Sequence, residues 1–362
     1  MPFRPVYLDH DLIGQSLPWD LYTVSGVLVA VAGLEIGDER QLTQLTARPL
    51  FRRIEQPSDG TDLATHLRNL MRDYPHSLKA AGTAELEAQI RDHARALIEL
   101  SHLDHDACLG LTRLLPMRDS AARHCLLTAL IALDVAEQLP FPDKDLEPLL
   151  AAALTMNISA MRLHAELSEG FVGLNDVVRQ LIHRHVDESL QSLIASGVQD
   201  PVWLEAVRQH HENLDGSGYP EKLLDEAIGL PGRILRVADY YVAKITGRRY
   251  RPAKSTQFAF KQMFGHERGR LDSRIALQLL HSNGLYPPGT LVRLANRETA
   301  VVMRREGDRD SAGHAMAFME VRGKLIKEPV ERNTASVKYA VLNVTEPEPH
   351  WPEIRWEGFW GY

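Results

Sequence analysis

Residues 209–220 read Gln209-His210-His211-Glu212-Asn213-Leu214-Asp215-Gly216-Ser217-Gly218-Tyr219-Pro220, the densest run of imidazoles, carboxylates and glycines in the chain. The apolar and polar pattern ahead of it predicts a helix over 202–212 that runs into a glycine turn. Adjacent histidines on a helix project about 100° apart. On that geometry His210 and His211 suit two different metal ions, or one ion and one phosphate, better than a single shared ion. Gly216 and Gly218 admit positive φ and let backbone amides come close to a ligand.

Working outward, apolar residues recur three and four apart from about 83 to 282, as in Leu126, Leu127, Leu130 and Leu133 behind Cys125. That is helical periodicity. Breakers at Leu139-Pro140-Phe141-Pro142, Gly170, Asp200-Pro201, 215–218 and Leu230-Pro231-Gly232 cut the region into roughly seven to nine helices. Alternation replaces this period at both ends. Residues 22–31 read as a β-hairpin turning at Ser25-Gly26, in a first stretch of strands and turns, and Gln56–Gly60 reads as a linker into a polar helical connector. Residues 289–345 read as a small antiparallel β appendage with a polar turn at Asn296-Arg297-Glu298. The Pro- and Trp-rich tail is open to two readings, a packed strap or a mobile end. The expected organisation is 1–82, a β-containing module and connector; 83–286, a helical domain; and 287–362, a β appendage and tail.

A chain of 362 residues exceeds what one core usually covers. No apolar run reaches the roughly 20 residues that span a bilayer, and Val24–Leu34 follows Asp9, Asp11 and Asp20 rather than a basic leader, so a cytoplasmic protein is expected. Two cysteines, Cys108 and Cys125, exclude a disulfide framework and a cysteine zinc site, while 16 histidines favour imidazole chemistry. A net charge of −7 argues against nucleic acid as the partner.

The string His210-His211-Glu212…Asp215-Gly216…Gly218-Tyr219-Pro220 resembles the HHExxDGxGYP signature of the HD-GYP family at every specified position. A second string, Arg233-Ile234-Leu235-Arg236-Val237-Ala238-Asp239 with Arg248-Arg249-Tyr250-Arg251-Pro252-Ala253, resembles that family's RILxVAD…RPYRPA segment. The resemblance covers roughly 105–300. It implies a mainly α, HD-domain helical bundle and a role in bacterial cyclic di-GMP signalling, through hydrolysis of the phosphodiester by two or three ions of iron or manganese. By position it assigns metal ligation to His124, His185, His210, His211 and Asp239. Arg248 and Arg251 fall where the family places phosphate-binding cations, and Tyr219 joins them as a substrate contact. Glu212, Asp215, Gly216, Gly218 and Pro220 complete the motif. His183 competes with His185 for its role, and His124, His185 and Asp239 each also suit an ordinary core.

The departure falls at the name-giving step. Where the family reads ALLHDIGK, this chain reads Ala153-Leu154-Thr155-Met156-Asn157-Ile158-Ser159-Ala160, with Met156 at the histidine, Asn157 at the aspartate and Ala160 at the lysine. Ser120 stands at a family glutamate, and Val242 at another polar position. A thioether is a poor ligand for hard divalent ions, and an amide oxygen brings no charge to bridge two cations. The expectation is at most one divalent ion, iron, manganese or another, and no catalytic residue is assigned. Three readings follow: a degenerate domain that binds nucleotide or a partner protein, a residual metal-dependent phosphodiesterase with an altered site, and a purely structural interaction module. The resemblance admits diguanylate cyclase (GGDEF) or other signalling partners, and a homodimer. The run Ser101–Asp106, with its own His105-Asp106 pair, reads as a solvated helix start.

Overall fold

The structure is a computed structural model that describes all residues except 1–2, 7, 9–11, 18, 24–26, 48–49, 54–61, 170–174, 247–253, 306–312, 322 and 349–350. The protein is mainly α with small sheets in its N- and C-terminal regions. Its contacts divide it into two compact units, one of residues 1–63, 102–110 and 281–362, the other of 64–101 and 111–280.

The helical unit contains α2 (Leu63–Ser77), most of α3 (Glu85–Leu114), α4 (Ser120–Ala136), α5 (Leu146–Thr155), α6 (Met161–Glu169), α7 (Asp176–Ala195), α8 (Pro201–Gln209), α9 (Leu230–Ile245), α10 (Thr256–Phe264) and most of α11 (Ser273–Asn283). Short polar side chains start these helices by accepting the first free backbone N–H groups. Asp119 takes Ala122 N at 2.9 Å, Asn175 takes Val178 N at 2.9 Å, and Asp200 takes Val202 N at 3.0 Å with Pro201 in the first turn. Nearly all of α4 is buried, as are all but one residue of α5, so these apolar helices form the centre on which α8 and α9 pack. Trp203 of α8 is fully buried and donates its indole N–H to Thr155 Oγ1 at 2.8 Å, tying the end of α5 to α8. No helix among the described residues is long and apolar enough to cross a membrane.

In the other unit, β1 (Phe3–Val6), β2 (Leu21–Tyr22), β3 (Leu28–Ala30) and β4 (Leu50–Arg53) form an antiparallel sheet in the order β1-β4-β2-β3. The β2–β3 hairpin is as expected, although the Ser25-Gly26 turn and the Gln56–Gly60 linker lie outside the described residues. A helix absent from the expectation, α1 (Glu39–Thr46), adds Leu42 to a core with Leu17, Leu21 and Ile36. The second sheet, β5 (Leu291–Leu294), β6 (Thr299–Arg304), β7 (His314–Met319), β8 (Leu325–Asn333) and β9 (Val341–Val344), is antiparallel in the order β8-β7-β6-β5-β9. Its β5–β6 turn is the expected one, with Arg297 at φ 67° and Glu298 N donating to Asn296 Oδ1. The tail packs as a strap, with Trp351, Trp356 and Phe359 set edgewise around Phe318.

The run Ser101–Asp106 corrects the solvated reading. Asp104 has extended backbone, φ −158°, and does start a helical segment by accepting Ala107 N at 3.0 Å. It is buried, however, with His105 and Asp106. Arg304 grips Asp104 through two N–H groups at 3.0 and 2.8 Å, and Arg305 donates to Asp106 at 2.6 Å and to Ser282 O at 2.7 Å. Partners 200 residues away leave no local trace, which is why the carboxylates look solvated in the sequence. Removing one member of a buried pair strands the other charge. Asp106→Ala should therefore cost about 3–5 kcal/mol in urea unfolding; a loss under about 1 kcal/mol, the scale of an exposed pair, would place Arg305 in solvent.

Candidate functional site

The site lies at the C-terminal end of α8. The helix stops at Gln209, one turn earlier than expected, because Glu212 N turns back onto Gln209 O at 2.8 Å. His210, still helical in backbone at φ −65° and ψ −8°, and His211 follow in the turn. Their rings lie 4.1 Å apart by centroid, and both face His185 of α7, at 5.3 and 5.1 Å. The three offer ligand atoms all within 4.8 Å of one another, the one such group of His, Cys, Asp and Glu among the described residues.

Backbone carbonyls set the tautomers. Nδ1–H of His210 donates to Val207 O at 2.6 Å, and Nδ1–H of His185 to Ile182 O. A neutral imidazole so anchored keeps a lone pair on Nε2. The two Nε2 atoms then face each other at 3.3 Å, lone pair to lone pair. Two acceptors held that way repel unless a cation lies between them. The spacing also matches the edge of a tetrahedron built on bonds of about 2.0–2.1 Å. The histidines are kept neutral: burial, aided by His185, draws His210 down to about 3, burial and His210 draw His211 well below the usual imidazole range, and burial lowers His185.

Neutral burial has a pH signature. Between about pH 3 and 6.5 the unfolded chain binds a proton at His210 that the folded chain refuses, so stability falls as pH falls through that window. For the metal-free protein His210 alone should cost about 1 kcal/mol between pH 7 and 5.5, with His211 and His185 adding in the same direction. Urea unfolding in chelator at the two pH values measures it, and a flat profile would mean that these imidazoles protonate inside the fold.

The other described candidates make contacts of their own. His124 of α4 and Asp239 of α9 form a separate buried pair, Nε2 to Oδ1 at 2.7 Å. Although burial opposes it, the bond to His124 holds Asp239 below the usual carboxylate range. Tyr219 leans on His211 at 4.8 Å and stacks on His183 at 4.2 Å, 13° from parallel. His183 is thus exposed and outside the ligand group, while His185 is buried within it. Glu212 faces the backbone, accepting from Glu221, Lys222 and Leu223 N–H at 2.7, 3.0 and 3.1 Å, and so shapes the turn around the cis Tyr219–Pro220 bond. Asp215 accepts from Ser217 and pairs with Arg270. Gly216 takes φ 74°, and a Cβ on Gly218 would sit 2.4 Å from Asn213 N, so neither tolerates a side chain. Met156 and Asn157 are buried just beyond α5, and Asn157 Oδ1 has no hydrogen-bond partner. Arg248 and Arg251 lie outside the described residues.

The sequence reading missed His164, whose ring lies 6.1 Å from that of His185, and Arg236. No local signal marks His164. Arg236 stands three residues before Asp239 on α9, a spacing that puts both on one helix face.

A family model described as HD domain matches residues 86–275. The chain belongs to the HD-domain family. Its 210–220 turn is that of the HD-GYP type. Of curated relatives, a cyclic di-GMP phosphodiesterase of Pseudomonas aeruginosa, PA4108, is 27% identical over 64% of this chain and 57% of its own length. A 3′3′-cGAMP-specific phosphodiesterase of Vibrio cholerae is 32% identical over 42% of this chain and 36% of its own. The chain thus spans from about a third to somewhat over half of these relatives. The HDG"Y"P protein Bd1817 from Bdellovibrio bacteriovorus shares the fold, with TM-score 0.53 over 77% of this chain and 98% of its own at 15% identity.

Proposed function

We propose that this HD domain binds a cyclic dinucleotide, cyclic di-GMP first among them, at a site organised by one divalent ion, and hydrolyses it weakly or not at all. The observation that carries the reading is the pair of opposed Nε2 lone pairs of His185 and His210 at 3.3 Å, with His211 beside them. These three imidazoles would hold the ion, iron or manganese by family likeness. When bound, such an ion supplies a Lewis acid for a phosphodiester oxygen. The chain's own residues set the limit. Met156 offers a buried thioether and Asn157 a neutral amide at the step where the family has its His-Asp pair, and the charge of Asp239 is engaged by His124. Two divalent cations would bring four positive charges to a pocket whose described carboxylate is already committed. The relatives that act on cyclic di-GMP and 3′3′-cGAMP support a cyclic dinucleotide as the ligand class. Diguanylate cyclase domains and a second copy of the chain are partner proposals of lower rank, resting on family likeness alone.

The test is calorimetric titration of the manganese-loaded protein with cyclic di-GMP, alongside chromatography of the products. The reading expects saturable binding with slow turnover or none. Efficient turnover abolished by His211→Ala would establish a working phosphodiesterase instead. Absence of both binding and turnover would leave a structural interaction module.

A further inference from the structure

Arg236 is a half-buried cation. Its Nε and Nη2 donate to Asn213 Oδ1 at 3.1 and 2.9 Å, and its guanidinium lies 5.7 Å from the centre of the Tyr240 ring. Both partners are neutral. Among the described residues it makes no ion pair, and the nearby carboxylate, Asp239, is taken by His124 at 2.7 Å. Asn213 belongs to the same turn as His210 and His211 and is itself held by a bond from its Nδ2 to Ser217 Oγ at 3.0 Å. The guanidinium is thus fixed on Asn213, two residues beyond His211, by an acceptor that does not neutralise it. Its charge is felt there: it opposes protonation of both His210 and His211 and favours ionisation of Tyr219. Partly desolvating a cation costs energy, and that cost is recovered when an anion arrives. The position is the variable one of the RILxVAD string, so the motif itself assigns it no role.

We infer that Arg236, anchored on Asn213, is a phosphate-binding cation of this site and takes one non-bridging oxygen pair of a phosphodiester or phosphate. The inference deepens the cyclic-dinucleotide reading and rests on it for the identity of the ligand, but not for the chemistry of the anion. Guanidinium suits the task because its planar fork presents parallel N–H groups to a phosphate, and two of its nitrogens already spent on Asn213 leave Nη1 and the outer N–H of Nη2 for a ligand.

The experiment titrates the manganese-loaded full chain with inorganic phosphate and, separately, with cyclic di-GMP, for wild type, Arg236→Gln and Arg236→Lys. The glutamine can still donate to Asn213 but carries no charge, so the turn keeps its tether; the lysine keeps the charge and loses the fork. Metal content and thermal midpoint are read on each. The expected order of affinity for both probes is wild type, then Arg236→Lys, then Arg236→Gln, with the last weaker by about tenfold to a hundredfold and with metal content unchanged. The phosphate affinity of wild type should also fall with added salt more steeply than that of Arg236→Gln. Arg236→Gln binding phosphate as wild type does, or Arg236→Lys losing as much as Arg236→Gln, would overturn the inference. Wild type that binds phosphate but not cyclic di-GMP would refute the proposed function and leave Arg236 as an anion site; wild type that binds neither would refute both.

Discussion

On the proposed reading, Met156→His together with Asn157→Asp is expected to raise hydrolysis of cyclic di-GMP by at least about a hundredfold and to add a second equivalent of metal. The two positions follow α5 directly and are buried, and by the resemblance in sequence they stand where the family has its His-Asp pair. Asn157 Oδ1 already lies unbonded in the interior, so a carboxylate there needs no new cavity. What it needs is positive charge. In the metal-free double variant the introduced carboxylate would be a buried ion without a partner, which costs several kcal/mol, so the variant should be markedly less stable in chelator and regain stability on loading. Metal content, thermal midpoint with and without manganese, and product formation read the three effects together. A variant that folds, takes no second ion and shows no gain in turnover would mean that the altered pair is not what limits this domain.

The second large effect separates His185 from its neighbour. His185→Ala should lower affinity for the divalent ion by about two orders of magnitude or more, because outer contacts of metal ligands alone are worth 10–100-fold and a ligand is worth at least as much. His183→Ala should keep the metal and lose the stack under Tyr219. The sequence leaves these two histidines as competitors. Both rings pack on Tyr219 of the turn, but His183 is exposed against its outer side while His185 is buried with ligand atoms within 4.8 Å of those of His210 and His211. Competition with a chromogenic chelator gives the affinities, and circular dichroism shows whether each variant is folded. Equal loss in both variants, or greater loss in His183→Ala, would reassign the ligand.

The helical domain and the terminal sheets were legible in the sequence because they follow from local period: three and four in the bundle, two in the β appendage. The turn was legible as well, since Gly216 at φ 74° and Gly218 against the Asn213 amide are positions that only glycine fills comfortably. What local pattern could not give was convergence. The end of α8 at Gln209, where Glu212 N donates to Gln209 O, and the approach of α7 that brings His185 to His210 and His211 leave no mark in the local pattern. His164 enters that neighbourhood from α6, 21 residues before His185, with nothing in its own surroundings to mark it. The buried pairs of Asp104 and Asp106 with Arg304 and Arg305 are the same lesson at greater range. Arg236 differs, because its spacing of three from Asp239 on α9 is visible in the sequence, where Arg248 and Arg251 are the more conspicuous cations.

The central claim is that the chain's own ligands support one ion and no more. The most direct measurement is elemental analysis of the purified protein after anaerobic loading with excess iron or manganese and removal of unbound metal, scaled to protein by amino-acid analysis. The account predicts a plateau at about one ion per chain, lost in His185→Ala. A plateau at two ions per chain would contradict it.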